Sequence, residues 1–121
     1  MRIFAKLGVF SAILLISGCA TVTESGYYWG GYSETYYDYI KTPSDKTLDR
    51  HIEELYEIVE FSKKNGLKVP PGIYAELGYI LAKQGKQQES FNYYQQETQL
   101  YPESKPFIER LIADNNEKGN S

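Results

Sequence analysis

Three kinds of side chain in this sequence could carry chemistry. Its only cysteine is Cys19, a nucleophile once ionised. Its only histidine is His51, able to give or take a proton near neutral pH. Glu53, Glu57 and Glu60 form a carboxylate set, the first two at i, i+4 on one helix face, where a pair could hold a metal or pass a proton. Nothing apolar surrounds these carboxylates to perturb a pKa, and one histidine is too few to complete a metal site, so they read as a solvated face. No zinc spacing, nucleotide loop or nucleophile elbow occurs, and no motif supplies a base to the Ser and Thr hydroxyls. Catalytic residues, metal ligands and cofactor-binding residues are therefore not expected, and the chain reads as no enzyme. His51 is expected to pack or lie at the surface, since a hydrolase would need a polar pocket around it.

Cys19 is placed differently. It follows an apolar run from Leu7 to Ile16, itself preceded by Arg2 and Lys6. That run is shorter than the roughly 20 residues a permanent membrane helix needs, so it reads as the core of a cleaved signal. The closing block, Leu15-Ile16-Ser17-Gly18-Cys19, resembles a bacterial lipobox. The resemblance implies that Cys19 carries a diacylglyceryl group on sulfur, that cleavage precedes it, and that the new amino terminus is acylated. Acyl chains contribute about 0.8 kcal/mol per buried methylene, and two chains already give a stable anchor. Residue 20 is Ala, which, by similarity to Gram-negative lipoprotein sorting, implies the outer membrane, facing the periplasm.

Composition narrows the partners. The formal charge is −3, from 16 acidic and 13 basic residues, and it becomes more negative when Arg2 and Lys6 leave with the signal. An acidic chain without a Lys/Arg cluster is a poor nucleic-acid binder. With Cys19 lipidated no thiol remains, so disulfides cannot hold the fold. The remaining chain is long enough for one small domain. It divides into a signal (1–18), lipidated cysteine and tether (19–26), a Tyr-rich segment (27–42), a helical domain (43–113) and a polar tail expected to be disordered (114–121).

Tyrosine is the unusual entry in the composition, with 12 in all. Tyr27, Tyr28, Tyr32, Tyr36, Tyr37 and Tyr39 crowd one segment, together with Trp29. Gly30 and Gly31 oppose a helix through its first half, whereas Tyr32, Tyr36 and Tyr39/Ile40 recur at helical spacing in the second. Three roles remain open for these rings: completing a small core, sitting at the headgroup level of a bilayer, or forming a glycan or ligand platform. Tyr28-Trp29-Gly30-x-Tyr32 soon after a lipobox, followed by a helical stretch, resembles a family of small Gram-negative lipoproteins known as domain of unknown function 4810. The resemblance covers nearly the whole mature chain. It implies a partner similar to the lipoprotein of the curli secretion channel, and no active site.

The rest of the chain predicts helices. Ser44 or Asp45 can cap a helix running to about Lys64, with Leu48, Ile52, Leu55, Tyr56 and Val59 as its apolar stripe and Asn65-Gly66 as its stop. Next come Tyr74, Leu77, Gly78, Leu81, Gly85, Ser90, Tyr94 and Pro102, whose spacing resembles the tetratricopeptide repeat, a helix-turn-helix unit. Gly78 would admit the second helix closely, Gly85 would end the first, Ser90 would sit at the crossing and Tyr94 would fill the groove. Tyr74, Leu81, Ser90 and Tyr94 replace the consensus Trp, Tyr, Ala and Phe while keeping the size class. A short capping helix should begin near Pro106, with Phe107/Leu111 and Ile108/Ile112 as i, i+4 pairs.

The expected fold is all-α, a small helical bundle around one tetratricopeptide-like hairpin. The expected role is that of a non-enzymatic adaptor that holds a protein partner, such as another envelope lipoprotein. Glu76, Tyr79 and Lys83 on the first helix of the hairpin, with Tyr28, Trp29 and Tyr32, form the candidate partner surface. The alternative is a lipoprotein that binds peptidoglycan or another glycan through the Tyr-rich segment.

Overall fold

The computed structural model describes residues 26–119. Cys19, the lipobox residues Leu15, Ile16, Ser17 and Gly18, the signal and most of the tether lie outside them. The described residues form five α-helices and no β-strand: α1 (Tyr32–Lys41), α2 (Asp45–Lys64), α3 (Ile73–Lys83), α4 (Gln87–Leu100) and α5 (Lys105–Gly119). A 3₁₀ turn, Pro102–Ser104, joins the last two. Among the described residues no helix is long and apolar enough to cross a membrane.

The helix boundaries follow from local chemistry. Ser44 caps α2 in a capping box: its hydroxyl accepts the Thr47 N–H at 3.1 Å, and the Thr47 hydroxyl accepts the Ser44 N–H at 3.0 Å. Asn65 closes α2, and Gly66 then takes φ +66°, a left-handed value that costs glycine little. The first helix of each hairpin, α1 or α3, starts instead at a glycine, Gly31 or Gly72, with no side-chain cap of its own. Both borrow one. Glu54 of α2 accepts the Gly31 N–H at 2.7 Å, and Glu97 of α4 accepts the Gly72 N–H at 2.8 Å.

The apolar stripe of α2 is rotated from the one expected. Leu55 and Val59 are buried as predicted, but His51, Ile58 and Ser62 are buried with them, while Leu48, Ile52 and Tyr56 are only partly covered. A hydrophobic pattern passes over His51 and Ser62 because they are polar. Here each is satisfied internally, Ser62 by donating to the Ile58 carbonyl at 2.7 Å. Leu55, Ile58 and Val59 meet Val69, Ile73, Tyr74 and Leu77 in the main core, against which Tyr28, Trp29 and Tyr32 pack. Fully burying one such aliphatic side chain contributes about 2 kcal/mol. A smaller core joins Ala75, Tyr94 and Ile108 with Leu111 and Ile112.

In the carboxyl-terminal helix Ile108 is buried, whereas Phe107 is 55% exposed. One expectation is corrected there. The tail from residue 114 continues α5 as far as Gly119. Once Ile108, Leu111 and Ile112 are docked, each further residue gains a helix hydrogen bond for one residue fixed, and Asn115 faces the α4 side chains Ser90 and Tyr94 across a shallow depression.

Candidate functional site

The polar residues that the hydrophobic pattern passed over lie together. Tyr32 of α1 donates its hydroxyl hydrogen to Glu76 Oε2 of α3 at 2.7 Å. Glu76 Oε1 is paired with His51 Nε2 of α2, and His51 Nδ1 lies 2.8 Å from the Thr35 hydroxyl of α1. Thr35 also reaches the Gly31 and Tyr32 carbonyls, both at 3.3 Å. A carboxylate only accepts, so His51 Nε2 carries a hydrogen. The neutral ring then accepts from Thr35, whereas a protonated ring would donate to Thr35 while that hydroxyl turns to a carbonyl. The chain thus satisfies either form of His51, which is 1% exposed. Burial, followed by the Glu76 hydrogen bond, pushes the Tyr32 phenol well above its ordinary pKa, so it remains a donor.

Tyr32, His51 and Glu76 of this relay form the floor of a cleft of about 570 Å³ between α1, α2 and α3, within the size range of ligand-holding clefts. Its walls are Tyr36, Tyr39 and Ile40 of α1, Leu48 of α2, and Tyr79 and Ile80 of α3. Tyr36 stacks parallel to Tyr32 at 5.7 Å, and the His51 ring meets Tyr32 nearly edge-on at 5.2 Å. Tyr36, Ile40 and Tyr79 are 44%, 56% and 46% exposed. Lys83 stands at the rim with its ammonium 5.3 Å from the centre of the Tyr79 ring. Among the described residues it has no carboxylate partner.

Four of the residues expected to face a partner, Tyr32, Glu76, Tyr79 and Lys83, converge on this cleft. Glu76 is half-buried and its oxygens are engaged by Tyr32 and His51, so it builds the floor. Tyr28 and Trp29 lie elsewhere. Tyr28 stacks on Phe61 at 3.9 Å, and Trp29 packs on the core with its edge toward Tyr32. Both rings thus contribute to the core while staying only partly covered. The residues Tyr74, Leu77, Leu81, Ser90 and Tyr94 are buried as the hairpin reading requires. A Cβ on Gly78 would lie 2.5 Å from the Tyr94 ring, and Ser90 donates to the Gly78 carbonyl at 2.6 Å. Gly85 takes φ +78° behind α3, and Pro102 opens the turn after α4.

The sequence reading missed Thr35, Glu54 and Glu97, and did not place His51 under a cleft. One signal was present: a helix that begins at glycine, without Ser, Thr or Asp to cap it, must find its acceptor elsewhere in the chain.

No curated protein and no solved structure matches the chain. A family does: residues 27–111, from the Tyr-rich segment through α4 and into α5, match the domain of unknown function DUF4810, and the protein belongs to that family.

Proposed function

We propose that this protein is a non-enzymatic adaptor, anchored to the outer membrane by lipid on Cys19 and facing the periplasm, that holds a peptide segment of an envelope protein in the α1–α2–α3 cleft. The observation that carries the reading is the clustering of Tyr36, Ile40 and Tyr79, three large and substantially exposed side chains, around one cleft with an uncompensated cation at its rim. Exposed apolar side chains scattered singly need no explanation, but a cluster marks an interaction surface. A lipoprotein similar to that of the curli secretion channel, which the family resemblance implies, is the candidate partner. The α3–α4 hairpin, closed at Gly78, supports a tetratricopeptide-like scaffold, in which the first helix of each pair lines the binding side.

Catalysis is disfavoured on geometry. Thr35, His51 and Glu76 are bonded in the order hydroxyl, imidazole, carboxylate, as a nucleophile, its base and an orienting group would be. But Thr35 is buried against the Gly31 and Tyr32 carbonyls and does not line the cleft, so its hydroxyl meets no substrate there. The glycan alternative is weaker because the polar groups beneath the rings already bond one another. Photo-crosslinking residues placed at Tyr36 and Tyr79 in living cells test the adaptor: both should capture the same envelope protein, and Tyr79→Ala should abolish the crosslink from position 36. Crosslinks to murein, or retention of the purified protein on isolated murein, would overturn the reading in favour of the glycan. For the anchor, Cys19→Ser should leave an unprocessed precursor free of labelled palmitate, and labelled lipid on that variant would refute it.

A further inference from the structure

The cleft does not end at Tyr79. On the other side of that ring a second depression of about 310 Å³ lies between α3 and α5, lined by Ala75, Phe107 and Leu111 and sharing Glu76 and Tyr79 with the cleft. Phe107 stands open at its edge. Of the six large apolar side chains exposed among the described residues, four therefore follow one track across α1, α3 and α5: Tyr36, Ile40, Tyr79 and Phe107. Nothing in the packing of α5 requires Phe107 to be aromatic, because Ile108 fills the interface beneath it.

Resting on the adaptor reading, we propose that the two depressions form one bipartite docking track for an acidic peptide, whose two bulky apolar residues seat on either side of Tyr79 and whose carboxylate meets Lys83. Valleys on the two flanks of one helix are about 10 Å apart, as packed helix axes are. Three residues of a polyproline-II chain at about 3.1 Å each cover that distance and bring the side chain back to the same face, as do two helical turns. The anchors should thus be spaced i, i+3 in a polyproline-II peptide or i, i+7 in a helical one. Lys83 sets the sign of the charge: the oxygens of Glu76, which both depressions share, are held by Tyr32 and His51. The Lys83 ammonium at the cleft end of the track is paired with no carboxylate among the described residues, Asp114 lining a neighbouring depression without bonding to it. A single acyl chain would need an enclosed tunnel in place of two open valleys divided by a ridge.

A phage-displayed random 12-residue peptide library, panned on the full mature chain in detergent, tests this. Selected peptides should share two bulky apolar residues at one of those spacings and an Asp or Glu beside one of them. Ile40→Ser and Phe107→Ser, both at exposed positions, should leave the thermal midpoint in place. Each should weaken a selected peptide about ten-fold, the scale of losing one anchor, and each should remove selection for a different anchor. Lys83→Glu should reverse the preference from acidic to basic. If Phe107→Ser changes nothing while Ile40→Ser still weakens binding, the track is not bipartite and the inference fails, although the adaptor reading stands. If Lys83→Glu leaves the charge preference unchanged, the acidic assignment fails. A library that yields no peptide dependent on any of the three side chains overturns both the inference and the adaptor reading beneath it.

Discussion

The α1–α2 and α3–α4 hairpins share a plan and differ in what fills it. In each, the first helix begins at a glycine whose N–H is capped by a glutamate of the second helix, Glu54 for Gly31 and Glu97 for Gly72. Three residues before each glutamate stands the side chain that plugs the groove, His51 or Tyr94, both almost wholly buried. In the second hairpin the plug lies directly against Gly78 and the helices close on each other. In the first the plug is an imidazole, which must be hydrogen-bonded on both sides when buried, and its partners are Thr35 and Glu76. The polar bridge from Tyr32 to Glu76 spans α1 and α3 without drawing their backbones together, and the cleft is the space that remains. One groove is sealed and the other is propped open by its own hydrogen bonds.

His51→Leu attacks the prop and has the largest expected effect. The substitution keeps bulk but leaves the Thr35 hydroxyl and the Glu76 carboxylate without the imidazole, and stripping one partner from such a network costs about 3 kcal/mol. Urea unfolding followed by circular dichroism should show a lowered midpoint, and peptide binding in the cleft should fall with it. A variant as stable as the wild type would mean that the two hairpins are held alike and that the relay is incidental.

Gly78→Ala attacks the seal. Alanine is intrinsically better in a helix by about 1 kcal/mol, yet its Cβ would meet the Tyr94 ring at 2.5 Å and the Ser90 carbonyl at 3.1 Å. Overpacking of this kind costs about 1–3 kcal/mol, so a net loss of up to roughly 2 kcal/mol is expected. Adding Tyr94→Leu should recover part of it. Gly31→Ala in the other hairpin has its nearest neighbour at 3.4 Å, in the Glu54 carboxylate, and should lose less than about 1 kcal/mol, the scale of a cap preference. Equal losses at Gly78 and Gly31 would erase the contrast in closeness.

The same contrast explains which parts of the molecule the sequence discloses. The second hairpin was legible because its devices are local and steric: Gly78, Ser90 and Tyr94 at repeat spacing, Gly85 after the helix and Pro102 after the next. The capping box at Ser44 and the stop at Asn65-Gly66 were legible for the same reason. The first hairpin was not, because it is held by side chains that pattern reading counts as surface. His51, Thr35 and Glu54 act through partners 16 to 25 residues away. Among the cleft residues, Tyr32, Tyr79 and Lys83 were anticipated from their helix faces, whereas Tyr36, Tyr39 and Ile40 were seen only as a helical stripe. For Tyr28 and Trp29 the sequence left a core and a partner-facing role open, because large rings beside an anchor look alike in either; the fold packs both against the core and leaves each partly exposed.

The smallest effect tests the shared element, the borrowed cap, through Glu97→Gln. Burial raises the Glu97 carboxyl above its ordinary value of 4.5; hydrogen bonds from the Gly72, Ala75 and Tyr74 backbone oppose this, and the nearby Glu103 charge adds to it. Between its unfolded and folded values the native state holds more proton than the unfolded chain. Stability from this group is thus fully present below about pH 4.5 and is lost as pH rises through the folded value. Glutamine can still accept the Gly72 N–H and does not titrate. Urea midpoints measured for both proteins from pH 4 to 7 cancel the other carboxylates in the difference, and the wild type should lose ground to the variant as pH rises. A difference that runs the other way would mean that the α3 amides stabilise the carboxylate more than burial opposes it. Glu97 would then be a charged helix cap, and the sealed hairpin would rest on electrostatics as much as the open one does.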